Sequence, residues 1–163
     1  MAAMAGLVIA GCGGSECYEN HSALPLAYFY SSYTRRQVSI QRLKIYGIGA
    51  PGDSVLYSAQ TLSEASLPFR LWQDTTQYVF AYAGMLPDSI ASAYPELIPA
   101  DTLTFIYTPR EWFVSPACGA MYFYDMDTVL HSSLLIDSVS FSKVITNENV
   151  SNIQIFFREE LDY

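Results

Sequence analysis

The sequence predicts an all-β protein, an antiparallel two-sheet β-sandwich of about eight or nine short strands. Three observations carry this reading. Tyr contributes 13 residues and Phe 9, and both suit a pleated, half-buried surface. Several segments alternate apolar and polar residues with a period of two, which puts one face of a strand in a core. No long segment shows the 3.6-residue period of an amphipathic helix, and turn residues separate the alternating runs.

In chain order, residues 27–31 form the first strand and 37–46 the second. In the second, Val38 and Ile40 share one parity and Leu43 and Ile45 the other. A strict period would send these pairs to opposite faces, so a bulge or break is expected near Gln41 and Arg42. Residues 54–57 form a third strand. Leu67, Phe69 and Leu71 alternate cleanly, and Pro68 assigns that strand to an edge. Over 77–83, Tyr78, Phe80 and Tyr82 alternate with smaller neighbours.

Residues 85–100 read as a loop inserted between two hairpin strands. Pro87, Pro95 and Pro99 limit 89–97 to one or two helical turns. Strands follow at 102–107, at 120–130 as the longest, at 136–144 and at 152–157. The last places Ile153, Ile155 and Phe157 on one face. Asp53 and Asp101 open strands as turn residues. A length of 163 residues fits one domain, and 51% apolar content is ample for its core.

The N-terminus predicts where the protein resides. Leu7-Val8-Ile9-Ala10-Gly11 precedes Cys12. A short apolar run, small residues and then Cys form a lipoprotein signal with its lipobox. Residues 1–11 are then a signal peptide, Cys12 carries the lipid, 12–16 are a spacer, 17–157 the folded domain, and 158–163 an acidic, frayed tail. The Lys or Arg that ordinarily precedes such a run is missing, which a start upstream of Met1 would explain. The run is far short of the roughly 20 apolar residues a spanning helix needs. Attachment would rest on acyl chains at Cys12, and two chains anchor stably where one is marginal.

With Cys12 lipidated, Cys17 and Cys118 remain. In an exported protein a leftover pair reads most simply as a disulfide. Two free thiols, or a zinc site of Cys17, His21, Cys118 and His131, are the alternatives. The second pair's spacing fits no familiar zinc module, so no metal is expected.

Formal net charge is −8, and the eight basic residues are scattered with only Arg35 and Arg36 adjacent. Nucleic acid needs a basic face and is excluded as a partner. Gly47-x-Gly49-x-x-Gly52 matches the dinucleotide fingerprint. A strand rather than a helix follows it, however, so it reads as a glycine-rich strand connection and no cofactor is expected. Asp125 and Asp127 on one strand face could bind calcium or serve a glycosidase, but alternating Asp usually marks a solvent face. His131 at a turn sits in no nucleophile motif. No catalytic constellation emerges, and the expectation is a protein that is not an enzyme, with a hydrolase as a distant alternative.

Aromatics form the one suggestive pattern. Tyr28-Phe29-Tyr30 and Tyr122-Phe123-Tyr124 place rings on both faces of their strands. Trp112 and Phe113 sit in a Pro-bounded loop, and Trp72 ends a strand. Trp112, Phe113 and Trp72 are the candidate ligand-binding residues, for sugar rings or for a partner chain. Core packing and cross-strand pairs are the plainer explanation of most rings.

The lipobox Cys12, Cys17-Tyr18-Glu19-Asn20, the stretch from Tyr46 to Ser54, Cys118-Gly119-Ala120-Met121-Tyr122 and the closing Ile153-Gln154-Ile155-Phe156-Phe157 carry a resemblance. The chain resembles a family of uncharacterised small lipoproteins of Bacteroidales-type bacteria, across nearly the whole mature chain. That resemblance implies an outer-membrane lipoprotein of the cell envelope and assigns no catalytic residues. The combined expectation is a lipid-anchored binding or assembly module. Its partners would be the membrane through its anchor, and other envelope proteins or glycans.

Overall fold

The computed structural model describes residues 23–49, 54–116, 119–146 and 151–158. The signal segment, the spacer, Cys12, Cys17, His21, Gly52, Asp53, Cys118 and residues 159–163 lie outside the described residues. The lipidation, the disulfide and three of the four zinc candidates therefore fall there too.

Among the described residues ten strands, numbered in chain order, form two packed sheets. One sheet holds β1 (Leu26–Ser31), β4 (Glu64–Ser66), β8 (Ile136–Phe141) and β10 (Ile153–Phe157), in the order β4-β1-β10-β8. The other holds β2 (Ile40–Gly47), β3 (Val55–Leu62), β5 (Thr75–Tyr82), β6 (Ala100–Ser115), β7 (Gly119–His131) and β9 (Val144–Ile145), in the order β3-β2-β5-β6-β7-β9. The expected all-β two-sheet architecture is what the chain adopts. All pairings are antiparallel except β1 with β10, which run parallel from Ala27 opposite Ile153 to Ser31 opposite Phe157.

The core lies between the sheets. Phe29 of β1 meets Phe80 of β5 edge-on at 6.3 Å, and Tyr82 of β5 meets Phe157 of β10 in the same way. Ile153, Ile155 and Phe157 are fully buried on the one face their spacing predicted. The expected β2 bulge is present. The β2–β3 register shifts between Ile40 and Leu43, and Arg42 takes a positive φ of 50°. This lets Ile40, Leu43 and Ile45 all face the core. Arg42 leaves the sheet to pair with Asp88, on the helix α1 (Asp88–Ala93) of the predicted insertion between β5 and β6.

Several elements differ from expectation, each for a tertiary reason. Residues 67–71 are not a strand, because the carbonyls of Pro68, Phe69 and Arg70 bond side-chain hydroxyls rather than a neighbouring ladder. The region expected at 136–144 splits between the sheets: β8 pairs with β10, while β9 pairs with β7. The longest strand is β6, at 16 residues, not β7. It continues through Pro109 because β5 accompanies β6 only as far as Ile106. Beyond that point this side of β6 is an edge, where a residue without an N–H costs no ladder bond.

Asp101 is not an exposed turn residue but a fully buried hub. Its carboxylate accepts from the Tyr82 and Ser132 hydroxyls and from the amides of Leu134, Leu135 and Ile136. It thereby holds the segment that carries the chain from β7 in one sheet to β8 in the other. Burial alone would raise its pKa, but these donors outweigh burial and hold it below the ordinary carboxylate value.

Candidate functional site

The site begins where β5 ends. Upstream of Thr75 the chain turns away from β6, and the Tyr107 amide closes the sheet with one last bond to the Asp74 carbonyl. From there β6 and β7 continue together, with β9 beside β7 at Tyr124 and Asp125, and past β9 they run on as an arm, pairing Glu111 with Tyr122 and Trp112 with Met121. Between the arm and the departing loop lies an open groove of about 630 Å³, lined by Trp72, Gln73, Asp74, Pro109, Glu111 and Tyr122.

The loop from Leu67 to Asp74 is held from beneath. Leu67 and Phe69 are buried, and Phe69 stacks on Tyr107 at 4.4 Å with Tyr124 edge-on at 5.2 Å. Three tyrosine hydroxyls, from β5, β6 and β7, then donate to three successive carbonyls. Tyr78 bonds Pro68, Tyr124 bonds Phe69 at 3.4 Å, and Tyr107 bonds Arg70 at 3.0 Å. The Tyr107 hydroxyl also accepts from the Arg70 amide at 2.8 Å and contacts Thr76 Oγ1 at 2.7 Å. Burial pushes Tyr124 up to about 12 and raises Tyr78 and Tyr107. All three therefore stay protonated donors at neutral pH. Arg70 reaches sideways, donating to the Ile48 carbonyl at 2.6 Å and to Gln73 Oε1 at 2.7 Å. This ties the loop to the turn at Gly49, whose φ of 69° suits glycine.

On this fixed base Trp72 stands 86% exposed. Among the described residues its one ring neighbour is Tyr122, edge-on at 6.2 Å. Trp72 also borders a second groove, with Arg70 and Gly49. Trp72 lies in a turn rather than ending a strand, and Trp112 and Phe113 lie on β6 rather than in a loop. The rim of the sheet explains the difference, since their alternation belongs to an arm with no β5 beside it. Trp112 and Phe113 are 56% and 65% exposed. Trp112 leans on Phe123 at 6.4 Å with the rings 36° apart, on the arm face opposite Glu111. The structure thus brings all three aromatic candidates to one end of the fold.

The remaining candidates lie elsewhere. Asp125 pairs with Arg110 at 3.3 Å. Asp127 is the extra residue of a β7 bulge, since Tyr107 faces Met126 while Ile106 faces Thr128. His131 Nδ1 contacts the Ser132 carbonyl at 2.7 Å. No group of three or more His, Cys, Asp or Glu suited to a metal occurs among the described residues. In the glycine-rich stretch β2 ends at Gly47 and a strand, not a helix, opens at Val55. Sequence reading missed Glu111, Asp74 and the tyrosine hydroxyls. The one visible signal was the unusual density of Tyr in strands.

Compared with known proteins, the chain matches no curated protein and no solved structure. Residues 42–157 match a family of unknown function, DUF6452, a span that runs from within β2 to the end of β10. The chain belongs to the DUF6452 family.

Proposed function

We propose that this chain is a non-catalytic binding or assembly module of the cell envelope, anchored by lipid on Cys12. In this reading its family relatives are the small lipoproteins of Bacteroidales-type bacteria and its site is the outer membrane. One observation supports binding above all: Trp72, Trp112 and Phe113 gather, exposed, around one arm and one braced loop. Single exposed apolar residues are ordinary, but three large exposed aromatics at one end of a braced frame, on both faces of its arm, are the composition of a binding surface. The bracing matters because a loop already ordered loses little freedom when it binds. The lipobox supports the anchor.

Photo-crosslinking residues placed at positions 72 and 112 in cells test this, with position 60 on the exposed edge strand β3 as the control. Discrete adducts from 72 and 112 but not from 60 are expected, together with loss of membrane attachment in C12S. Equal labelling from all three positions, or membrane attachment that survives C12S, overturns the proposal.

A further inference from the structure

We propose that the groove between the Trp72 loop and the arm binds a neutral carbohydrate chain. This rests on the binding-module reading above and supplies its ligand class. Chemistry selects the ligand. Trp72 and Tyr122 meet at 68°, so they form a corner rather than a flat platform. The electron-rich faces of such rings attract the slightly positive C–H groups that cover one side of a sugar. A corner grips one sugar unit from two sides and lets the chain leave through the open ends of the groove.

The polar lining discriminates. Asp74 and Glu111 bring carboxylates to the groove, and Gln73 brings an amide whose Oε1 is already taken by Arg70. Asp74 Oδ1 takes the Thr75 hydroxyl at 3.0 Å, which leaves its other oxygen available. Glu111 is exposed and has no cationic partner among the described residues. Carboxylates accept strongly from hydroxyl donors, and vicinal hydroxyls match their two oxygens. A purely apolar ligand would strip water from these groups and return no bond. A phosphate or uronic acid would meet the negative charges of Asp74 and Glu111, while the neighbouring Arg70 guanidinium is already committed to the Ile48 carbonyl and Gln73 Oε1. Neutral, hydroxyl-rich and ring-shaped is what remains. The volume of about 630 Å³ lies within the usual range for small-ligand sites.

The chain has two tryptophans, so W112F leaves Trp72 as the single reporter inside the groove. Its emission would be followed while titrating cellohexaose, mannohexaose, maltohexaose and xylohexaose, with trigalacturonic acid and pentalysine alongside. At least one neutral hexasaccharide is expected to shift Trp72 emission saturably, with trigalacturonic acid inert. E111Q should weaken that binding several-fold at an unchanged melting temperature, and in an otherwise native chain W72A should abolish it by calorimetry. Silence from all four neutral sugars overturns the assignment, and a response to pentalysine alone overturns it in favour of a basic peptide. Crosslinking from position 112, on the opposite face of the arm, separates the failures. If it persists while the sugars fail, only the ligand class falls.

Discussion

Removing the Asp101 carboxylate should be the costliest single polar change in this fold. In D101A five donors lose their acceptor: the Tyr82 and Ser132 hydroxyls and the amides of Leu134, Leu135 and Ile136. The hydroxyls can rotate, and Leu134 lies at the surface. The Leu135 and Ile136 amides cannot turn, and their residues are 1% and 0% exposed. An orphaned buried donor costs about 1–3 kcal/mol, so the two amides alone imply about 4 kcal/mol. For a chain of this size that is a fall of about 8–16 °C in melting temperature. D101N keeps one acceptor oxygen but turns its NH₂ toward further donors, and about 2–3 kcal/mol is expected. The assay is urea unfolding followed by circular dichroism, repeated across pH. The sign follows from the lowered folded-state pKa. The carboxylate's contribution is complete above its unfolded value of about 3.9 and is lost as pH falls through the lower folded value. The gap between wild type and D101N should therefore be constant near neutrality and shrink in acid. A D101N protein within about 0.5 kcal/mol of wild type at pH 7, the range of ordinary surface changes, would refute the reasoning. So would a gap that persists undiminished at acid pH.

Other perturbations have comparably definite outcomes. G84A should cost about 1–3 kcal/mol by overpacking, because an added Cβ would sit 2.7 Å from the Gln41 carbonyl at the β2 bulge; a melting curve identical to wild type would contradict this. Y107F removes the hydroxyl that bonds both the Arg70 amide and its carbonyl, so a loss of about 1–3 kcal/mol should come with lower Trp72 fluorescence anisotropy in a W112F background. Unchanged anisotropy would mean the loop does not depend on that brace. Non-reducing peptide mapping should recover Cys17 joined to Cys118. The Ala23 amide donates to the Tyr122 carbonyl at 2.9 Å, which places the chain beside β7 within a few residues of each cysteine. The chain-entropy model gives such a link about 4–5 kcal/mol, and recovery of two free thiols would remove it.

The arm shows most directly where sequence reading stops. Alternation located β5 and β10 because their periodicity is set by burial, and burial is written in each side chain. The β2 bulge was legible for the same reason, since Ile40, Leu43 and Ile45 could share a face in no other way. Leu67 and Phe69 are buried just as their alternation implies. Yet that alternation could not show that the carbonyls of Pro68, Phe69 and Arg70 go to tyrosine hydroxyls. The Pro-bounded loop expected around Trp112 and Phe113 is strand instead, because β5 has already left that side of β6 before Pro109. Of the site, Trp72, Trp112 and Phe113 were chosen from residue type. Glu111 and Asp74 join it only because β5 and the loop part at Thr75.

The sequence by itself determined the all-β class, which residues face the core, the place of the bulge and the inserted helical segment. These follow from local side-chain chemistry and the period of the pleat. Tertiary structure alone decided the parallel pairing of β1 with β10, the division of β8 and β9 between the sheets, the burial of Asp101 and the groove beside Trp72. Each joins residues far apart in the chain, and the bonds that join them are backbone and hydroxyl contacts that no local pattern encodes.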